Sequence, residues 1–404
     1  MDFPTEIVHE GKVEILVPKL SAFVKKPSEY APSKAPVFYN PVMELNRDIA
    51  VLALQAYQRT VNRKIIICEP LAGCGVRGIR FATEVEGVKK VLINDINEKA
   101  FNLARANVQR NKLSRRITVR NEDANRFLSH YGAPRKRFDA IDIDPFGSPV
   151  PYLDSAIRAL RDGGFIALTA TDMAPLCGVY PKACIRKYGG KPLRTEYCHE
   201  LAVRLLAGCL AMTAAKYDIG ISVIFSHSTN HYIRLYAKIA YGAKKADESI
   251  KNMGYIMHCF NCFHREALKA PSLMGRSGKC SQCSSKLDYV GPLWLGKIFD
   301  KNFCENMEKI AEHMTLGCKA KVMKILALIK DEVDGPPTYY VINKLCDKLE
   351  IPVPSVRWVL KALRGKGFQA CPTHFNFNGV RTNASVIEIM NVLKSCINKE
   401  HDKF

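Results

Sequence analysis

Asp144-Pro145-Phe146-Gly147 puts a carboxylate, a stiffened turn and a flat aromatic ring within four residues, directly after an apolar run. Methylation of an exocyclic amine needs such a set. A carboxylate or carbonyl must accept the amine's hydrogen bonds, so that the nitrogen lone pair leaves conjugation and points at the methyl, and an aromatic face must hold the base. Asp144 and Phe146 supply these, and Pro145 stiffens the turn. Hydride transfer makes no such demand. A capped turn into a helix from Val150 would use the same Asp and Pro without any chemistry. The features that weigh against that plain reading lie upstream. Gly73-x-Gly75-x-x-Gly78 follows an apolar run and opens a helix. In that context glycines turn tightly and let the backbone approach a ligand, with a helix N-terminus behind it. Asp95, at the end of the next apolar run, is placed to accept hydrogen bonds from ribose hydroxyls. Dinucleotide enzymes and S-adenosylmethionine enzymes share both features.

A second constellation is made of thiols. Cys259-x2-Cys262 and Cys280-x2-Cys283 are separated by 17 residues, a four-thiolate zinc pattern in which each pair forms a knuckle and tetrahedral closure makes the metal structural. His258 and His264 flank the first pair and read as neighbours of the site or as surface. Arg265, Lys269, Arg276 and Lys279 lie around it, where they could meet phosphates or simply face solvent. Cys68, Cys198, Cys209, Cys304 and Cys346 stand singly in apolar or helical contexts and read as reduced thiols of a cytoplasmic protein.

The elements that must carry these residues follow a rhythm. Short apolar runs at Ile65–Cys68, Val91–Ile93, Ile117–Val119, Phe138–Ile143 and Phe165–Thr169 predict buried strands, with helical segments between them. Ile219–Phe225 and Tyr232–Ala240 predict a closing antiparallel pair, and Leu201–Tyr217 a long helix. Alternation of this kind means an α/β protein with a doubly wound sheet, whose ligands lie at the carboxyl ends of the strands. The Gly, Asp and Pro residues stand at those ends. Residues 5–24 alternate around Glu10-Gly11-Lys12 and predict a hairpin; a Pro-punctuated segment from Pro27 to Pro36 follows. Beyond Gly242 the rhythm breaks. Residues 302–330 read as helical, Asp334-Gly335-Pro336-Pro337 as a linker, and Pro337 to Arg381 has helix–turn–helix–wing spacing. Arg357, Lys361, Arg364 and Lys366 fall on or just after its second helix, as in a unit that grips an RNA backbone or serves as scaffold.

Several longer segments resemble the tRNA (guanine-N(2))-dimethyltransferases. They include Val37-Phe38-Tyr39-Asn40-Pro41, Leu45-Asn46-Arg47-Asp48, Val76-Arg77-Gly78-Ile79-Arg80-Phe81, Asp123-Ala124-Asn125-Arg126 and Asp142-Ile143-Asp144-Pro145-Phe146-Gly147-Ser148-Pro149. The likeness continues through Thr169 to Gly178, Pro181 to Cys184, Gly291 to Gly296 and Thr373-His374-Phe375, and so spans nearly the whole chain. The resemblance implies a class I S-adenosylmethionine-dependent methyltransferase fold, Rossmann-like, with a smaller C-terminal α+β domain. It implies two methyl transfers from S-adenosylmethionine to the N(2) amine of the guanosine at tRNA position 26, through a monomethyl intermediate. Arg47 and Arg77 would hold the donor's methionine carboxylate end, with Arg80 as a substitute for Arg77. Asp95 would bind the ribose and Asp123 with Ala124 the adenine, beside Gly73 and Gly75. Asp144 would be the catalytic carboxylate, and Phe38 and Phe146 would sandwich the guanine. Not every member of that family carries the four cysteines, so catalysis need not depend on the metal. The expected domains are a hairpin and flap over 1–38, a methyltransferase domain over 39–242, and a tRNA-binding domain over 243–404 that holds the zinc site and, over 337–381, the winged-helix-like region.

Composition is consistent with this and sets limits. In 404 residues, 60 Lys+Arg against 39 Asp+Glu leave +21, spread over the first 240 residues and the remainder alike, which suits a polyanion lying across the molecule. The charge alone would equally serve a basic protein that merely resists self-association. The best apolar run, Leu201 to Tyr217, is broken by Arg204 and Lys216, and the mixed N-terminus has no apolar signal core, so neither membrane insertion nor secretion is expected. No obligate protein partner is implied. Three alternatives remain open on the residues: an NAD-dependent oxidoreductase, a nucleic-acid-binding protein without activity, and an adenine amine methyltransferase.

Overall fold

The structure is a computed structural model that describes residues 1–24, 32–229, 231–269 and 278–401; Pro27 and Arg276 lie outside them. The chain opens with a hairpin, β1 (Thr5–Glu10) and β2 (Val13–Pro18), turning at Gly11 with φ +57°. Val13, Ile15 and Val17 alternate into the core, as a half-buried strand requires. The Asn107 side chain accepts from the Leu16 N–H at 2.7 Å, and donates to the carbonyls of Leu16 and Cys74 at 2.9 Å each. One amide thus fastens the hairpin to the glycine loop.

The central sheet comprises β3 (Ile65–Glu69), β4 (Val88–Asn94), β5 (Ile117–Arg120), β6 (Phe138–Ile143), β7 (Leu160–Ala170), β8 (Ile219–Thr229) and β9 (Tyr232–Tyr241), in the order β5-β4-β3-β6-β7-β9-β8. The first five are parallel. Two residues join β8 to β9, a connection that only an antiparallel pair can use. All seven expected strands are present. Parallel register decides where the chemistry goes: Glu69 stands beside Ile93, and Asn94 beside Arg120, so successive strands end on one edge.

By its contacts the chain divides into two units, Met1–Ala170 with Tyr236–Tyr241 and Asn302–Leu326, and Thr171–Leu235 with Gly242–Lys301 and Ala327–Phe404. These lines differ from boundaries at 38 and 242. The helix Cys198–Ala215 packs on β12 (Asp288–Trp294) as well as on β8, which draws residues 171–235 toward the C-terminal part. Residues 302–326 join the first unit because Cys318 donates its N–H to Asp48 at 2.7 Å, and Asn306 its amide to the Ala56 carbonyl at 3.4 Å. The helix Cys198–Ala215 is long and apolar enough to cross a membrane, but 72% of that stretch is buried within the protein, as a core helix would be.

In the second unit β10 (Met253–His258) lies between β11 (Arg265–Lys269) and β12, antiparallel to both. The tail holds β13 (Tyr340–Val341), β14 (Ala370–Thr373) and β15 (Asn376–Thr382) in the order β13-β15-β14, with helices Ile342–Leu349, Val356–Gly365 and Val386–His401. Two helices followed by a hairpin match the expected spacing. Ser355 caps the second helix, its hydroxyl accepting from the Trp358 N–H at 3.2 Å. Arg357, Lys361 and Arg364 are exposed along that helix.

A buried ionic knot anchors the tail. Arg381 donates to both Glu200 oxygens, at 3.2 and 2.8 Å, and to Glu332 at 3.0 Å, while Glu332 also receives Thr373 and His374. Arg204 donates to Glu200 at 2.9 Å. Burial pushes the Glu200 carboxyl up, but the Arg381 and Arg204 guanidiniums outweigh it and hold it at about 2. Its contribution to stability is therefore present above the ordinary carboxylate range and fades as pH falls from about 4.5 toward 2. Arg381→Met, which strands two buried carboxylates, is expected to cost about 3–5 kcal/mol in urea unfolding. A loss under 1 kcal/mol would show that the knot does not anchor the tail.

Candidate active site

The glycine loop forms because β3 ends at Glu69 and the chain must reverse into the helix Val76–Glu84. Gly73 and Gly75 take φ +53° and +81°, where an L side chain is strained. A Cβ on Gly73 would lie 3.3 Å from the Phe38 carbonyl, so the backbone around Phe38 crosses close over the loop. A Cβ on Gly78 would stand 2.4 Å from Ile93 Cγ2, which is why the third glycine is needed for the helix to rest on β4. Asn97 ties the flap down by donating to the Pro36 carbonyl at 2.9 Å.

Asp95 follows β4 and accepts the Gly73 N–H at 2.8 Å and the Asn97 N–H at 2.9 Å. Burial pushes its carboxyl up, against these two donors. Asp123 is exposed and caps the helix Ala124–Ser129, accepting from the Arg126 N–H at 3.0 Å; Ala124 is buried beside it. Asn94 joins the strand ends, donating to the carbonyls of Pro70 and Glu122 at 3.0 Å each.

The two arginines expected at the donor's carboxylate are both buried and both paired with protein carboxylates. Arg47 grips Glu10 through Nε and Nη2 at 2.6 Å each and donates to the Asn40 carbonyl at 3.1 Å. Arg77 pairs with Asp144 through Nη2, donates to the Asn46 side chain at 2.9 Å, and has Glu69 at 3.4 Å and Asp142 at 3.6 Å. Arg80 has no exposure and is fully engaged with Glu10 at 3.0 Å, Asp48 at 2.7 Å and Glu84 at 2.9 Å. Arg80 is thus tied to three carboxylates from three chain segments.

Asp144 is the most open of the carboxylates around Arg77, its side chain 21% exposed against 3% for Glu69 and 5% for Asp142. It stands where β6 leaves the sheet, next to Phe146, which is 72% exposed. Phe38 meets Phe146 edge to face, with ring centroids 4.6 Å apart and planes at 82°. The two rings expected to sandwich a base thus do converge beside Asp144. A base between them would need the rings parallel and about 7 Å apart, twice an ordinary stacking contact.

The four cysteines also converge. Their Sγ atoms all lie within 4.8 Å of one another, with Cys259 to Cys283 and Cys262 to Cys280 at 3.5 Å. A tetrahedral zinc with bonds of about 2.3 Å asks for sulfurs about 3.8 Å apart, so the set fits. The two knuckles repeat one backbone pattern. The N–H groups of Phe263 and Ser284 return to the carbonyls of Cys259 and Cys280 at 2.8 and 2.9 Å, and both residues take positive φ, at 62° and 58°. His258 is buried against the Tyr197 hydroxyl, 3.2 Å away. Arg265, expected among residues facing phosphates, is instead bound to Glu196 at 2.6 Å and lies between Tyr197 and Tyr340, each 4.1 Å from its guanidinium. Lys269 and Lys279 remain exposed.

Glu10, Asn46 and Glu69 were not picked out from the sequence. Glu69 had a signal, since it ends a strand immediately before the glycine loop, and Asn46 stands beside Arg47 in the Leu45–Asp48 segment that carries the resemblance; Glu10 had none. Burial pushes the Glu69 carboxyl up to about 8, with Asp142 and Asp144 adding to it and Arg77 opposing. A carboxyl raised on folding stabilises fully below its unfolded value, and that contribution is lost as pH rises through about 8. Wild-type stability should therefore fall between about pH 4.5 and 8 in urea titrations and level off above, and Glu69→Gln should flatten that fall. An equal slope in both would place the charge elsewhere.

A profile of N2,N2-dimethylguanosine tRNA methyltransferases matches residues 11–394. A tRNA (guanine(26)-N(2))-dimethyltransferase of Methanobrevibacter smithii is 43% identical over 98% of each chain. One from Methanothermobacter thermautotrophicus is 43% identical over 96% of this chain and 98% of its own. Among solved structures, Trm1 from Pyrococcus horikoshii in complex with S-adenosyl-L-methionine superposes with a TM-score of 0.83 at 36% identity, over 96% of this chain and 99% of that one. The sheet is accordingly that of a class I methyltransferase, and the chain belongs to the N2,N2-dimethylguanosine tRNA methyltransferase family.

Proposed function

We propose that the protein transfers methyl groups from S-adenosylmethionine to the N(2) amine of the guanosine at tRNA position 26, giving the dimethylated base through a monomethyl intermediate. The observation that carries this is Asp144, held against Arg77 at the strand edge and adjoining the Phe38–Phe146 pair. S-adenosylmethionine, when bound, would supply an electrophilic methyl; as the amine nitrogen takes it, the sulfur–methyl bond breaks and the sulfonium leaves as a neutral thioether.

Asp144 accepts the amine's hydrogen bond and stabilises the positive charge that develops on nitrogen, whose proton leaves to the carboxylate or to solvent. Arg77 orients Asp144 through its Nη2 contact. The residues suit the donor. Gly73 and Gly75 leave a cradle that side chains would strain, and Asp95 presents a carboxylate to ribose hydroxyls. Asp123 and Ala124, at a helix start, would meet the adenine. Arg47 and Arg77 would hold the carboxylate end. Both already have carboxylate partners, so that contact exchanges one anion for another. The exposed Arg357, Lys361 and Arg364, with the net charge, support tRNA binding by the second unit. A structural zinc on Cys259, Cys262, Cys280 and Cys283 is supported by the fit of the four sulfurs. The cytoplasm suits fourteen described cysteines that are all free thiols.

Asp144→Ala is expected to lower the rate of N(2)-methylguanosine formation about 10²–10⁴-fold, read by nucleoside mass spectrometry, with tRNA affinity kept within a few-fold. Full methylation by that variant would overturn the mechanism. Cys259→Ser with Cys280→Ser should release the structural zinc and lower the thermal midpoint, while S-adenosylmethionine still binds in calorimetry. An unchanged midpoint would mean that no metal holds the knuckles.

A further inference from the structure

Cys198 reads as an isolated thiol in the sequence, yet the fold gives it company. The sulfurs of Cys177 and Cys198 and a ring nitrogen of His199 all lie within 4.8 Å of one another, and all three residues are half-buried. Cys177 ends the short helix Met173–Leu176, its N–H donating to the Met173 carbonyl at 2.7 Å. Gly178 follows at φ +85°, and a Cβ there would stand 2.6 Å from the Arg194 nitrogen. That close approach sets Cys177 against the segment that leads into Cys198. On the other side, the Cys198 N–H donates to the Thr195 carbonyl at 3.2 Å, and Tyr197 is fully buried against His258 and the Arg265 guanidinium. The backbone that carries the three donors is thus fixed by ordinary packing and hydrogen bonds. Only side-chain torsions remain to be set.

We propose that Cys177, Cys198 and His199 form a second metal site, for zinc or a similarly thiophilic divalent cation. Two thiolates and an imidazole are a zinc donor set, and the absence of a carboxylate from the three argues against magnesium or calcium. Zn–S bonds of about 2.3 Å and Zn–N bonds of about 2.0 Å place donors about 3.5–3.8 Å apart, within reach of the present spacing. Binding releases one proton from each thiol to solvent, and Zn²⁺ with two thiolates and a neutral imidazole carries no net charge, which suits a half-buried position. Three protein ligands leave a fourth place for water, unlike the closed set of four cysteines.

The count of metal per chain decides this. Full-length protein, reduced, loaded with zinc sulfate and desalted, should carry two zinc ions by mass spectrometry of the metal. Cys177→Ser and Cys198→Ser should each carry one, and so should the Cys259→Ser, Cys280→Ser double variant, which retains the new site. With Co²⁺ as the probe, the wild type minus Cys198→Ser difference spectrum should show thiolate-to-metal charge transfer. If Cys198→Ser does not fold, Cys177→Ala and His199→Ala carry the same test. One zinc in the wild type, lost only with Cys259 and Cys280, overturns the proposal and leaves the four-cysteine site standing. So does a count of two that survives replacement of Cys177 and Cys198 together, or a disulfide between them in the freshly purified protein.

Discussion

Arg77 sits buried among three carboxylates, those of Glu69, Asp142 and Asp144, with the Asn46 amide filling a fourth side. One guanidinium cannot balance three negative charges away from water, and the rest of the site follows from how that imbalance is resolved. Glu69, the most enclosed, holds its proton up to about pH 8. Asp144, in contact with the guanidinium, is the most exposed of the three. Its position is set by parallel register, which ends β3 and β6 on one edge and brings the first turn of the following helix over both.

The same physics recurs wherever an arginine is buried. Glu10, on the N-terminal hairpin, binds both Arg47 and Arg80, and Glu84 and Asp48 complete the second. Arg381 joins Glu200 to Glu332 in the second unit. In each case the guanidinium is planar, multiply donating and satisfied from several chain segments, so removing one partner strands the others. These knots fix which segments must lie together. They are why the hairpin belongs with the sheet, and why the tail belongs with the helix Cys198–Ala215.

Much of this was legible in one dimension. Strand rhythm, the glycine turn, the strand-end aspartates and the paired cysteines are local patterns, because backbone strain, burial on two faces and metal-ligand spacing each act over a few residues. The seven strands therefore come out as read, and the thiols of Cys259, Cys262, Cys280 and Cys283 meet as their spacing requires. Segment by segment resemblance carried the family as well.

The tertiary structure decided the pairings between distant residues. Nothing near Arg47 in the chain announces Glu10, 37 residues away, and nothing near Arg381 announces Glu200, 181 residues away. Arg265 reads as a surface cation and is enclosed by two tyrosines and Glu196. The division into units likewise ignored chain order, since helix 198–215 packs on strands from both sides of residue 242. Local sequence determined which elements form and what chemistry they carry to the strand ends. Which charge neutralises which was left to packing, because a buried ion pair depends on proximity in space and leaves no period or spacing in the chain.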